Sequence, residues 1–277
     1  MSGERLGFKR MVVGLPQNLA DKAAMDIAAD LAERLQIDFF VAFMADTTLH
    51  ELAEMSGARE LRALDLSWQA IDLVQIARDV EQASGRARGR FTETVEARSI
   101  NAKFDVMSAV NISSLIRADD IVAIIEPAHP GEAISRQFTA LFQAAFAAAG
   151  AVLIVPRRVI RASGPVVAEA SASDDPSIAA ALKIAAALKE RLIVVAAAGT
   201  RLPTDLLAQA EKLGVAIEHI ASNSPALPLA AAAAPLRERL RVVPRHLLID
   251  DTLRMFSSLR GVPLLVLEPS RVKPAPD

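Results

Sequence analysis

The 277-residue chain has no cysteine, no tyrosine, a single tryptophan and only 4% aromatic residues. Without cysteine there is no disulfide, no thiol nucleophile, no thiolate metal site and no thiol redox switch. So few aromatic side chains leave no stacking platform for single-stranded nucleic acid. An excess of one charge is missing too, since 31 Lys+Arg against 33 Asp+Glu give a formal net charge of -2. That balance excludes a polybasic binder working mainly by phosphate neutralisation. The longest weakly polar stretches, Ala144–Pro156 and Pro225–Leu236, contain Gly or Pro and fall short of the roughly 18 uninterrupted apolar residues of a membrane span. Met1 to Arg10 lack the apolar core and small-residue cleavage site of a secretory signal. The expectation is a cytoplasmic protein with neither a nucleic-acid nor a membrane partner.

What is present is alternation. Hydrophobic residues make up 52% of the chain, and short Val-, Ile- and Leu-rich runs are separated by amphipathic stretches. Strands are expected at Arg10–Leu15, Asp38–Met44, Phe104–Val110, Ile121–Glu126 and Ala151–Val155, then at Pro165–Ala170, Leu192–Ala197, Val215–Ile220, His246–Asp250 and Pro263–Leu267. Runs apolar at nearly every position suit strands covered on both faces, as in a parallel sheet flanked by helices. Ala24, Ile27, Ala28, Leu31 and Leu35 form one helical stripe with Asn18 as N-cap. Ile178, Ala181, Leu182 and Ala185 form another, with Asp175 as cap and Pro176 in the first turn. A third carries Ile134, Phe138, Leu141, Phe142 and Ala145. Gly150, Gly214 and Gly261 are expected to end helices in left-handed geometry.

These elements repeat. Each half reads β-α-β-α-β-α-β-α-β, with a basic, small-residue linker at Arg157–Gly164. The division predicts one domain over residues 1–158 and a shorter one over 159–277. The first carries a long insert, residues 47–98, expected to be helical around Leu61, Leu64, Trp68 and Ile71. Each half is expected to be a doubly wound parallel α/β sheet, Rossmann-like in its right-handed crossovers.

The repeated openings Arg10–Leu15 and Pro165–Ala170, each followed by an Ala-rich helix and a second apolar strand, and the endings Gly150–Pro156 and Gly261–Pro269, resemble the universal stress protein (UspA-like) family in its tandem form. The likeness covers residues 9 to 269. It implies two five-stranded sheets of order 3-2-1-4-5, within the wider adenine-nucleotide alpha-hydrolase-like group, paired through their last strands. Members that bind ATP carry Gly-x2-Gly-x9-Gly-Ser/Thr after the fourth strand. Its glycines let the backbone approach phosphates, and N–H groups at a helix start face them. Here Glu126-Pro127-Ala128-His129-Pro130-Gly131-Glu132 stands in that place, where two prolines remove donors and two carboxylates repel a triphosphate. Leu141-Phe142-Gln143-Ala144 offers no Gly-Ser pair. In the second half, the stretch from Asp250 to Val262 is too short for loop plus helix. The acid that ATP-binding relatives place after their first strand is absent from Leu15-Pro16-Gln17-Asn18, while Asp174 in Ser171-Ala172-Ser173-Asp174-Asp175 is a match in the second half.

The remaining constellations carry little chemistry. His50, His129, His219 and His246 are far apart in sequence, with no ligand spacing for a metal. The 171–175 segment reads as a helix cap, as do Asp250-Asp251 ahead of Thr252-Leu253. Ser84-Gly85-Arg86-Ala87-Arg88-Gly89-Arg90 reads as a solvated helical face, and the alanines of Pro225–Pro235 as a thin helix. No Gly-x-Ser-x-Gly elbow or Walker-type loop occurs. The expectation is a non-catalytic, stress-associated binding or interaction module with no catalytic residue, no metal and no cofactor, its ATP site lost. Two alternatives stand beside it. One binds an adenine nucleotide or other small ligand between Leu15, Pro16, Gln17, Glu126 and His129 in the first half, or Ala170, Ser171 and Asp174 in the second. The other is a nucleotide-dependent hydrolase. Assembly is expected as an internal pseudo-dimer, with the insert offering a homodimer or partner-protein contact.

Overall fold

The computed structural model describes residues 7–17, 22–55, 57–62, 66–159, 161–222, 236–248 and 261–268. The first half contributes β1 (Arg10–Pro16), α1 (Lys22–Leu35), β2 (Asp38–Ala45), α2 (Thr48–Ala53), β3 (Arg59–Arg62), β4 (Ser67–Ala70), α3 (Leu73–Glu96), β5 (Ala102–Ser108), α4 (Ile112–Leu115), β6 (Asp120–Ile125), α5 (Pro130–Ala133), α6 (Arg136–Ala148) and β7 (Ala151–Val155). The second contributes β8 (Val166–Ala170), α7 (Pro176–Leu188), β9 (Leu192–Ala197), α8 (Thr204–Leu213), β10 (Ile217–Ser222), β11 (Leu240–Pro244) and β12 (Leu264–Leu267), with a 3-10 turn at Arg245–Leu247.

Ten strands form one sheet in the order β10-β9-β8-β11-β12-β7-β6-β1-β2-β5. Each half keeps the expected 3-2-1-4-5 order, and its strands pair in parallel. The two sheets are joined through their last strands, as the resemblance implies. β12 lies antiparallel to β7, with Leu265 opposite Leu153 and Val266 opposite Val152, so the halves share a continuous ladder. This pairing satisfies backbone groups that each last strand would otherwise leave open.

Side chains alternate across the strands, and among the described residues helices α1, α7 and α8 cover one face while α4 and α6 cover the other in the first half. Met11, Val13, Leu15, Ala168 and Ala170 pack with Ala24, Ala28 and Leu31 of α1 and Ile178, Ala181 and Leu182 of α7. On the opposite face, Val12, Ile124, Val152, Val243 and Val266 meet Ile112, Phe138 and Leu141. Of the expected α1 stripe Ala24, Ala28 and Leu31 are buried while Ile27 and Leu35 are partly buried, and Met25, Ala29 and Ala32 widen the buried face; α7 is capped by Asp175 with Pro176 in its first turn. Gly214 and Gly261 take φ of 69° and 58°, the left-handed geometry expected of them. Gly150 does not. A Cβ there would lie 2.3 Å from the Ala118 carbonyl oxygen, so close backbone approach is what requires glycine.

Several elements differ from expectation. The fourth strand of the second half is Leu240–Pro244 rather than His246–Asp250, and His246 falls in the turn after it. Arg241 interrupts the apolar run but is buried in the sheet, where Glu169 and Glu238 each hold it at 2.7 Å. Leu61 and Trp68 lie on the β3–β4 hairpin, opposite one another and exposed, instead of on a helix. The helical part of the insert is α3, capped by Asp72, which accepts the N–H groups of Val74 and Gln75. The arginine cluster lies on α3 with Ala87 buried beneath it, and the Arg88 guanidinium sits 4.7 Å from the Phe104 ring centroid. Ile134 precedes α6 and is exposed. Asn18, Leu64, Asp250-Asp251 and Pro225–Pro235 lie outside the described residues.

Candidate functional site

In each half the first and fourth strands are neighbours, and their carboxyl ends open onto the turns where ligands bind in sheets of this kind. In the first half these are β1 and β6. Leu15 and Pro16 end β1 inside the core, so they floor the crevice rather than line it. Gln17 is half-buried, and its side-chain oxygen accepts the Asp46 N–H at 2.8 Å. The Glu126 N–H donates to the Val155 carbonyl at 2.9 Å, while the Glu126 carbonyl accepts Arg157 Nε at 3.0 Å. His129 is exposed.

The group that organises this turn is Glu132. Its Oε2 accepts the Ala128 N–H and an Arg157 N–H, each at 2.6 Å, and its side chain is only 18% exposed. Oε1 lies 3.4 Å from His129 Nε2, while His129 Nδ1 stands 3.3 Å from the Glu132 N–H. That pattern fits the tautomer with its proton on Nε2, which donates towards the carboxylate. The donors offered here, a backbone amide and a guanidinium, are thus taken by a carboxylate of the chain itself. Arg157 follows β7 and belongs to the basic linker; its position 25 residues from Glu132 conceals the pairing in the sequence.

In the second half, β8 and β11 open onto residues 171–175 and the 245–247 turn. Ala170 is buried in the core. Asp174 is exposed and has no hydrogen bond or ion pair among the described residues. Ser171 is exposed and links both walls. Its N–H and Oγ approach Asp175 Oδ2 at 3.3 and 3.2 Å, and its Oγ lies 3.0 Å from His246 Nε2. Asp175 Oδ1 accepts the Ser177 N–H at 3.0 Å, so one carboxylate caps α7 and holds Ser171. A carboxylate only accepts, so the single Ser171 hydroxyl proton points to Asp175 and His246 Nε2–H donates to Ser171 Oγ. This polarity is opposite to that of a nucleophilic serine, whose proton is drawn towards the imidazole. With that polarity the Ser171 hydroxyl orients the His246 ring. The pairing spans 75 residues, and no local signal in the sequence marks it.

Among the described residues no three His, Asp or Glu side chains come together as a metal site, and no helix is long and apolar enough to cross a membrane. His50 falls in α2 and His219 in β10.

No protein-family model and no curated protein matches the chain. Solved structures do. A universal stress protein from Archaeoglobus fulgidus DSM 4304 is similar over 93% of this chain and 96% of its own, at 14% identity and a TM-score of 0.57. A candidate universal stress protein from Pseudomonas aeruginosa UCBPP-PA14 is similar over 96% of this chain and 95% of its own, at 15% identity and a TM-score of 0.50. Over nearly its whole length, then, the chain has the α/β fold of universal stress proteins.

Proposed function

We propose that this protein is a non-catalytic, stress-associated binding module whose first crevice has lost ATP binding. The stress association is taken from the proteins that share its fold, and the loss of ATP binding from the place of Glu132. A polyphosphate entering the turn must displace a carboxylate held by two charge-assisted bonds, each worth about 1.5–3 kcal/mol. Glu126 adds a second carboxylate to the same turn. Thermal unfolding with ATP, ADP and AMP, with and without magnesium, tests the reading. No shift is expected, whereas a ligand at 100 times its Kd stabilises by about 2.7 kcal/mol. A clear upward shift, or nucleotide retained through purification, that persists in Ser171→Ala overturns it.

A second reading is favoured by the Ser171–His246 contact: a small polar ligand, an adenine nucleotide included, held at the second crevice. β11 ends at Pro244, so residues 245–263 separate it from β12, and shortness no longer argues against a ligand loop there. The hydrolase variant of this reading requires ATP turnover that Asp174→Ala or Ser171→Ala abolishes. The module's own contact is proposed on the β3–β4 hairpin, where Leu61 and Trp68 are 49% and 62% exposed. Light scattering should show a homodimer that Trp68→Ser weakens, and a monomer unaffected by that change removes the contact.

A further inference from the structure

A cleft of about 590 Å³ opens where the two halves meet, apart from both crevices, on the sheet face that carries α1 and α7. That volume is within the ~300–1,000 Å³ of small-molecule sites. Ile27 and Leu31 of α1 form one apolar wall, and Leu153, Leu240 and Pro263 form the floor. The connector between the halves closes another side through Val159, Arg161 and Ala162.

The charges around this floor do not cancel. Four arginines (Arg34, Arg98, Arg161 and Arg239) line the cleft with two aspartates (Asp26 and Asp30). Both aspartates are committed. Asp30 is held by Arg34 Nε at 3.0 Å and Arg239 Nη2 at 2.6 Å. Asp26 accepts from Thr94 Oγ1 at 3.0 Å, Lys22 Nζ at 3.2 Å and Arg98 Nη1 at 3.4 Å. Arg161, by contrast, has no hydrogen bond or ion pair among the described residues. A guanidinium left over beside an apolar surface asks for an anion. Arg239 also has Glu190 Oε1 3.8 Å from its Nη1, so of the four lining arginines Arg161 alone has no ion pair among the described residues, and one uncommitted guanidinium suits a single negative charge.

We infer that this cleft binds a monocarboxylate with an apolar body, its headgroup at Arg161 and its chain along Ile27, Leu31 and Leu153. The connector thereby acts as part of a binding site as well as a link between halves. Isothermal titration of the full chain with decanoate, decanol and decylamine, each below its micelle-forming concentration, tests this. Decanoate should bind once per chain, decanol about tenfold more weakly, and decylamine not at all. Arg161→Gln should weaken decanoate about tenfold, with Arg161→Lys restoring most of the loss and both variants unfolding where the parent does. Ile27→Ser should weaken decanoate and decanol alike. Absence of decanoate binding, equal affinity for decanol, or an Arg161→Gln variant that binds as the parent does overturns the assignment.

Discussion

Removing one member of the Arg10–Asp120 pair should cost far more than removing both. The two residues stand opposite each other on β1 and β6, the central strands of the first half. Asp120 has a side chain 1% exposed and accepts Arg10 Nε at 3.0 Å, Arg10 Nη2 at 2.7 Å and the Arg117 N–H at 2.8 Å. Arg10, 18% exposed, also donates to the Leu115 carbonyl at 2.9 Å and lies 5.3 Å from the Phe40 ring centroid. Breaking a buried ion pair from one side costs about 3–5 kcal/mol, because the survivor stays buried and unpaired. After Asp120→Ala, Arg10 keeps Leu115 and Phe40 and has a partial path to water, which places the loss near 3 kcal/mol. After Arg10→Met, Asp120 keeps only one amide and has no such path, so the loss should approach 5 kcal/mol. The double variant Arg10→Met/Asp120→Leu leaves no orphan charge and should lose much less than the sum of the singles. Urea unfolding followed by far-UV circular dichroism is the assay, since urea does not screen the charges as guanidinium chloride would. Single losses below about 1 kcal/mol, or strict additivity in the double variant, would refute the reasoning.

Other expectations follow from equally local features. Gly150→Ala places a Cβ 2.3 Å from the Ala118 carbonyl oxygen and 3.1 Å from the Phe8 ring, so the urea midpoint should fall by the equivalent of about 1–3 kcal/mol. Asp175→Ala removes the α7 cap and the acceptor for Ser171, and should cost about 2 kcal/mol, with faster amide exchange at Ser177. The hydrogen bond from Lys9 holds the Asp119 carboxyl below its ordinary value. Its stabilisation is therefore present above about pH 4 and lost as pH falls through the lowered folded value. Lys9 is largely exposed, so the effect should stay under about 1 kcal/mol, and Lys9→Gln should return the Asp119 titration, followed by NMR, towards the ordinary range.

Local rules reveal the frame of this protein, and distant pairings obscure the rest. Ala151–Val155 and Leu192–Ala197 have the bounds expected of them, since each is an unbroken apolar run between polar or small residues. The Asp175-Pro176 cap is legible for the same reason, as every group it needs lies within a few residues. β11 is hidden because a charged residue sits within it, and only Glu169, 72 residues away, together with Glu238 makes Arg241 tolerable in a buried strand. The hairpin is hidden differently: the spacing of Leu61, Leu64 and Trp68 fits a helix face, yet Leu61 and Trp68 are cross-strand neighbours. At the site, the electrostatic argument against a polyphosphate can be read from Glu126 and Glu132, but not the capture of Glu132 by Arg157 or the meeting of Ser171 with His246. Residues at strand ends mislead as well, because alternation turns Leu15 and Ala170 into the core.

The antiparallel joint between β7 and β12 reverses the heading of one half against the other. The turns after β6 and after β11 therefore emerge on opposite rims of the ten-stranded sheet, facing away from each other. No single small molecule can touch both. Whatever each rim holds, any message between them must cross the width of the sheet, and the seam where the reversal occurs lies midway along that route.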